Sequence, residues 1–134
     1  MIDIQNEVFT KVATAVRAKH EGVSVTGEYT RKPSTFPTVT LDEIENVTVA
    51  TLVDSSDHEK FSGVGYRLQV FSNKVGGKKA EARAIFASAD KELCGLGFRR
   101  VTYSVTPEIY DSTIYSITAT YEAIVGENGF IYKR

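Results

Sequence analysis

Residues Tyr66–Arg100 read YRLQVFSNKVGGKKAEARAIFASADKELCGLGFRR, and the period of their apolar positions changes inside that stretch. Tyr66, Leu68 and Val70 alternate with Arg67 and Gln69, the two-residue period of a half-buried strand over Tyr66–Ser72. Beyond Gly76-Gly77, Ala82, Ile85, Phe86, Ala89, Leu93 and Leu96 recur at helical spacing, which predicts a helix over Lys78–Cys94. Gly95 or Gly97 supplies its stop, and a strand resumes at Phe98. A strand, a glycine turn, a helix and a second strand in so short a span commit the chain to helix layered on sheet.

The remaining segments extend that layer. Ile4, Val8, Val12, Ala15 and Val16 form one apolar stripe, predicting a helix over Asp3–Lys19 that Gly22 ends. Asp3 and Glu7 near its start and Arg17, Lys19 and His20 near its end suit the helix dipole. Residues 22–37, with Gly22, Gly27, Pro33 and Pro37, read as an extended connection with room for a short strand at Val23–Thr26. Strands are expected at Thr38–Ile44 and Val47–Val53, and the polar Asp54–Gly65 segment as a loop. Phe98–Thr106 and Thr113–Val125 alternate over long runs and should pair antiparallel through Pro107–Ser112. Asn128-Gly129 is a hairpin turn returning a short strand at Phe130–Lys133.

The expected architecture is α+β, one domain over residues 1–134, with two helices packed on one face of a mixed, mostly antiparallel sheet of four to six strands. Ile85, Phe86, Ala89 and Leu93 should then face Leu68, Val70, Val101, Tyr103, Ile117 and Ala119. Thr102, Ser104, Thr106, Ser116, Thr118 and Thr120 would make the opposite face rich in hydroxyls.

The chain's 134 residues suffice for one core, and hydrophobic and charged fractions of 42% and 25% are those of a folded globule. No apolar run nears the ~20 residues that span a bilayer, and MIDIQNEVFTKV lacks a signal-peptide core. A lone cysteine cannot form an internal disulfide and fits a reducing compartment, the cytosol. The net charge of −1 gives the whole chain no electrostatic pull toward nucleic acid. The charges are nonetheless segregated. Residues 42–59 hold Asp42, Glu43, Glu45, Asp54, Asp57 and Glu59 with no Lys or Arg. Residues 74–100 set Lys74, Lys78, Lys79, Arg83, Lys91, Arg99 and Arg100 against Glu81, Asp90 and Glu92. Two solvated faces would explain this, as would an acidic region of one subunit meeting a basic region of another.

No set of residues reads as an active site. Ser72–Lys79 matches the phosphate-loop pattern only at Gly77-Lys78: the first glycine is Ser72, and the Mg²⁺-binding hydroxyl position is Lys79. His20 and His58 have no partners at metal or triad spacing, and both read as surface residues. Cys94, next to Leu93, reads as a small buried hydrophobe. Asp42 and Glu43 are strand neighbours and point to opposite faces, so they cannot share a substrate. The seven Tyr and seven Phe fall mostly at core spacing rather than in a base-stacking pattern. The chain is therefore expected to be no enzyme, with no catalytic, cofactor or metal residues. One local rule is broken: Lys74, Lys78 and Lys79 crowd a helix start, where the dipole disfavours cations. An acidic partner would offset that cost.

Read with the Asp3–Lys19 helix, the VSVTGEYTRKPSTFPTVTL run, YRLQVFSNKVGGKKAEARAI, LGFRRVTYS, STIYSITATYEAIV and the closing GFIYKR, the chain resembles the tail terminator (tail completion) proteins of long-tailed phages and prophages. The resemblance covers nearly the whole sequence. It implies a structural virion protein forming a homo-oligomeric ring, typically a hexamer. Such a ring caps the tail tube, ends its polymerisation and joins it to the head connector. Self, the tube protein and the connector protein are the implied partners, with DNA only passing through the lumen and no membrane involved. The implied location is the head-proximal end of the virion tail, assembled in the host cytoplasm. Placed on the charge map, such a ring makes Lys74, Lys78, Lys79 and Arg83 interface candidates on one side, and Asp42, Glu43 and Glu45 on the other. A head-completion (stopper) protein is the neighbouring alternative, and a small anion-binding host module using the Lys74–Lys79 helix start is the distant one.

Overall fold

A computed structural model describes residues 1–49, 61–107, 111–129 and 131–132. The elements run α1 (Gln5–Lys19), β1 (Ser24–Thr26), β2 (Thr38–Thr48), β3 (Phe61–Ser72), α2 (Lys78–Leu96), β4 (Arg99–Pro107), β5 (Tyr115–Gly126) and β6 (Ile131–Tyr132). The sheet has the order β1-β2-β3-β5-β4, with β6 pairing β5. Among the described residues β1–β2 is the one parallel pair; the other pairs are antiparallel. This is the expected α+β arrangement.

Val8, Val12, Ala13 and Val16 of α1 and Ala82, Ile85, Phe86, Ala89 and Leu93 of α2 are buried against Val39, Leu41, Leu68, Val70, Ile117 and Ala119 in one core. The helices are tied to each other where His20 Nε2 meets Ser88 Oγ at 2.8 Å. His20 is thus a half-buried bridge rather than the free surface residue expected; His58 lies outside the described residues. Gly97 ends α2 at φ 112°, its N–H reaching the Cys94 carbonyl while Phe98 N–H reaches that of Leu93. A Cβ there would come within 3.0 Å of the Ile131 side chain, so both the turn and the close approach of β6 require glycine.

Several boundaries differ from expectation. β2 runs unbroken to Thr48, absorbing Ile44 as a bulge between Glu43 and Glu45 instead of ending there. β3 begins at Phe61, so Phe61–Gly65 is strand and not loop. Gly65, part of the expected loop, is a packing device: a Cβ there would stand 3.2 Å from the Glu45 Cβ on the neighbouring strand. Residues 50–60, which carry the rest of those two expected segments, lie outside the described residues, as do 130 and 133–134 around β6.

Two core assignments are corrected. Cys94 is exposed, because it sits one helical step past buried Leu93 and has rotated off the apolar stripe. Val101, Tyr103 and Val105 are also exposed. Tyr103 and Val105 lie opposite Ala119 and Ile117 and share their face, but β4 is the last strand of the order and α2 covers it only in part, at Tyr103 and Arg100.

The opposite face carries the hydroxyls expected of it. Thr102 and Thr120 meet at 2.7 Å and Thr106 and Thr118 at 3.2 Å. Around Thr38, Thr40, Gln69 and Phe71 that face is buried: Thr40 donates to Gln69 at 2.9 Å, Phe71 and Pro33 are buried, and the Tyr29 ring lies 4.3 Å from the Arg67 guanidinium.

Candidate functional site

The four cations singled out by sequence come together at the start of α2. Lys74, Lys78, Lys79 and Arg83 line a cavity of about 650 Å³ with Val75, Gly76, Gly77, Ser112 and Thr113. The wall is built by the turn after β3: Gly76 takes φ 76°, and Gly77 N–H returns to the Lys74 carbonyl at 3.2 Å. Ser72 donates to Glu81 at 2.7 Å and accepts the Lys74 N–H at 3.3 Å, which fixes the turn to the first turn of α2. Lys78 Nζ donates to the Ser112 carbonyl at 2.6 Å, so it braces the β4–β5 connection. Lys79 and Arg83 are exposed, and Val75 is bare at the rim. Among the described residues the lining offers cations, the Ser112 and Thr113 hydroxyls and backbone groups.

The acidic trio lies on β2, the other side of the sheet from β4, and not beside the lysines. As expected, Asp42 and Glu43 take opposite faces. Asp42 forms an ion pair with Arg67 at 2.8 Å on the face away from the helices. Glu43 accepts from Gln5 of α1 at 3.1 Å, and burial pushes its carboxyl above the ordinary range, against the opposing pull of Asn46 and Tyr66. The Tyr66 hydroxyl is pushed up in turn, by burial and then by the Glu43 charge. Glu45 is exposed.

A third cluster was not foreseen. Asp90 of α2 accepts from the Tyr121 hydroxyl at 2.6 Å and from Arg100 Nη1 at 3.0 Å, with the Cys94 thiol 3.9 Å away. The hydrogen bond to Asp90 holds Arg100 above its usual value, while burial and then Asp90 push the thiol up. Arg99 pairs with Glu122 at 2.6 Å. The signal was present in sequence: Asp90 is a carboxylate four residues past Phe86 and three before Leu93, on the flank of an apolar stripe, where it needs a partner. Among the described residues no group of three His, Cys, Asp or Glu side chains could hold a metal ion, and no helix is long and apolar enough to cross a membrane.

No family model matches the chain, and no curated protein matches it in sequence. Among solved structures, its fold is similar to that of a chain in the virion of a native gene transfer agent particle. The TM-score is 0.65, with 15% identity over 92% of this chain and 94% of that one. At that identity the likeness is one of fold.

Proposed function

We propose that this chain is a structural virion protein of the tail terminator type, with no catalytic activity of its own. It closes into a homo-oligomeric ring of six on the end of a tail tube, stops tube growth and offers its other surface to the head connector. The observation that carries the reading is the match of nearly the entire chain to the fold of a chain from a gene transfer agent virion. Segregated charge supports it: basic residues gather at the α2 start and acidic ones on β2, across the sheet. Heterologous contacts between two such unlike surfaces generate rings when the rotation closes.

The test is assembly in the presence of a tail tube protein. Tubes should reach a fixed length when the protein is present and grow without limit when it is omitted. Unchanged tube length, with binding to the head connector alone, would assign the stopper role instead. The cationic recess favours one other reading, a small anion-binding module. A rise in melting temperature with inorganic phosphate, retained in a strictly monomeric protein, would support that module over the ring.

A further inference from the structure

Among the described residues, the large apolar side chains left bare on strands stand at the two opposite edges of the sheet. Val101, Tyr103 and Val105 on β4 are 49%, 45% and 45% exposed; Ile44 and Val47 on β2 are 47% and 48% exposed. Among the described residues no strand pairs with the outer side of β4, and β1 covers β2 only at Thr38–Thr40. An uncovered edge with apolar side chains is a template for another chain. The two edges also differ in charge: Glu43 and Glu45 flank Ile44 on β2, while Arg99 and Arg100 precede Val101 on β4.

The register places these groups at equal heights. Glu45, Gly65, Glu122 and Arg99 form one row across the sheet, and Glu43, Tyr66, Tyr121 and Arg100 the next. Three antiparallel steps separate β2 from β4, so the two strands run in opposite directions. Rotation about an axis along the strands preserves direction and height. It therefore brings β4 of one copy antiparallel to the β1–β2 edge of the next, with Arg99 level with Glu45 and Arg100 level with Glu43.

We propose that successive copies of this chain meet in that way, β4 edge on β1–β2 edge, a contact that rests on the ring reading above and supplies its subunit interface. The short β1 sets the fit. Its row positions are level with Ser104–Thr106, so the incoming β4 lies against Ser24–Thr26 there. Beyond Thr26 the edge steps back by one strand spacing, about 4.8 Å. At the start of β4, Arg99 and Arg100, which pair with Glu122 and Asp90 within the subunit, face that step and would share their charge with Glu45 and Glu43, and Val101 closes over Ile44. Pairing of β4 with another β4 would instead leave the Glu43–Glu45 edge without the arginines that complement it. The partner this edge fits is a second copy of the chain.

Cross-linking between two single-cysteine proteins tests the contact. Both carry Cys94→Ser to remove the native exposed thiol; one adds Val101→Cys and the other Glu45→Cys. All three positions are exposed, so the fold should persist, and circular dichroism checks it. With a short bis-maleimide the mixture should give a covalent dimer, and each protein alone should give only background. Dimers from Val101→Cys alone would overturn the proposal in favour of a two-fold β4 seam. A normal oligomer with no cross-link in the mixture would overturn it while sparing the ring. A wild-type protein that stays monomeric would remove the ring reading itself. Charge reversal is the second arm: Glu45→Arg should abolish self-association, and retained association would contradict the Arg99 pairing.

Discussion

The Tyr103 ring stands edge-on to Phe86, centroids 5.1 Å apart and planes at 68°. Phe86 is buried, whereas Tyr103 is 45% exposed. The pair marks the line where the core ends. Inside it α2 covers the sheet; outside it β4 carries on with its apolar side chains bare. A recess bounded by Arg83, Asp90 and Arg100 opens at this line.

Phe86→Ala should cost about 3–5 kcal/mol in urea unfolding, the usual range for truncating a buried aromatic. Val105→Ala, on the uncovered strand, should stay within about 0.5 kcal/mol, as surface changes do. Equal costs at both positions would place the core boundary wrongly.

Glu43 gives stability a pH dependence of known sign. Its folded carboxyl is raised above 4.5, so the folded state holds the proton more tightly than the unfolded chain. The stabilising contribution is complete below 4.5 and is lost as pH rises through the raised value. Glu43→Gln keeps an oxygen for Gln5 and carries no charge, so it should gain stability relative to wild type as pH rises through that window. A difference that does not change with pH, by denaturant unfolding at several pH values, would contradict it.

Cys94 should react in the native protein. A thiol reagent without denaturant should titrate the single cysteine to completion, since it is exposed. The rate should fall below that of the unfolded chain, because burial and Asp90 raise the thiol and reduce its thiolate fraction. Reaction only after unfolding would return Cys94 to the core.

Much of this fold could be read from residue spacing. The helical stripes at Val8, Val12 and Val16 and at Ala82, Ile85, Phe86, Ala89 and Leu93 are those buried in the structure. Spacing fails where the outcome depends on which strand has a neighbour. Alternation assigns Tyr103 and Val105 to the helix-facing side correctly, but cannot tell that β4 ends the sheet and leaves that side uncovered. Glycine misled in the same way at Gly65, where it records a close strand approach rather than a turn. The lysine cluster was visible as a charge run, whereas Asp90, Arg100 and Tyr121 come from three different elements and are joined only by folding.

Lys79→Glu with Arg83→Glu should weaken self-association while leaving unfolding near wild type. Both side chains are exposed, Arg83 shares a recess with Arg100 and Tyr103 of β4, and an added carboxylate near a helix start suits the dipole. Lys78→Glu is a poorer choice, since Lys78 also holds the Ser112 carbonyl. Association of the wild type should weaken as salt rises, because charge pairs at an interface rim are screened over ~8 Å at physiological ionic strength. Sedimentation velocity of both proteins at low and high salt checks the pair of claims.

The central claim is a closed ring, and sedimentation equilibrium over a wide concentration range tests it most directly. The account predicts one associated species of fixed mass, six times the 14.8 kDa chain, in balance with monomer and with nothing larger at the highest concentration. A protein that stays at 14.8 kDa throughout, or one whose mass climbs without limit, would contradict it.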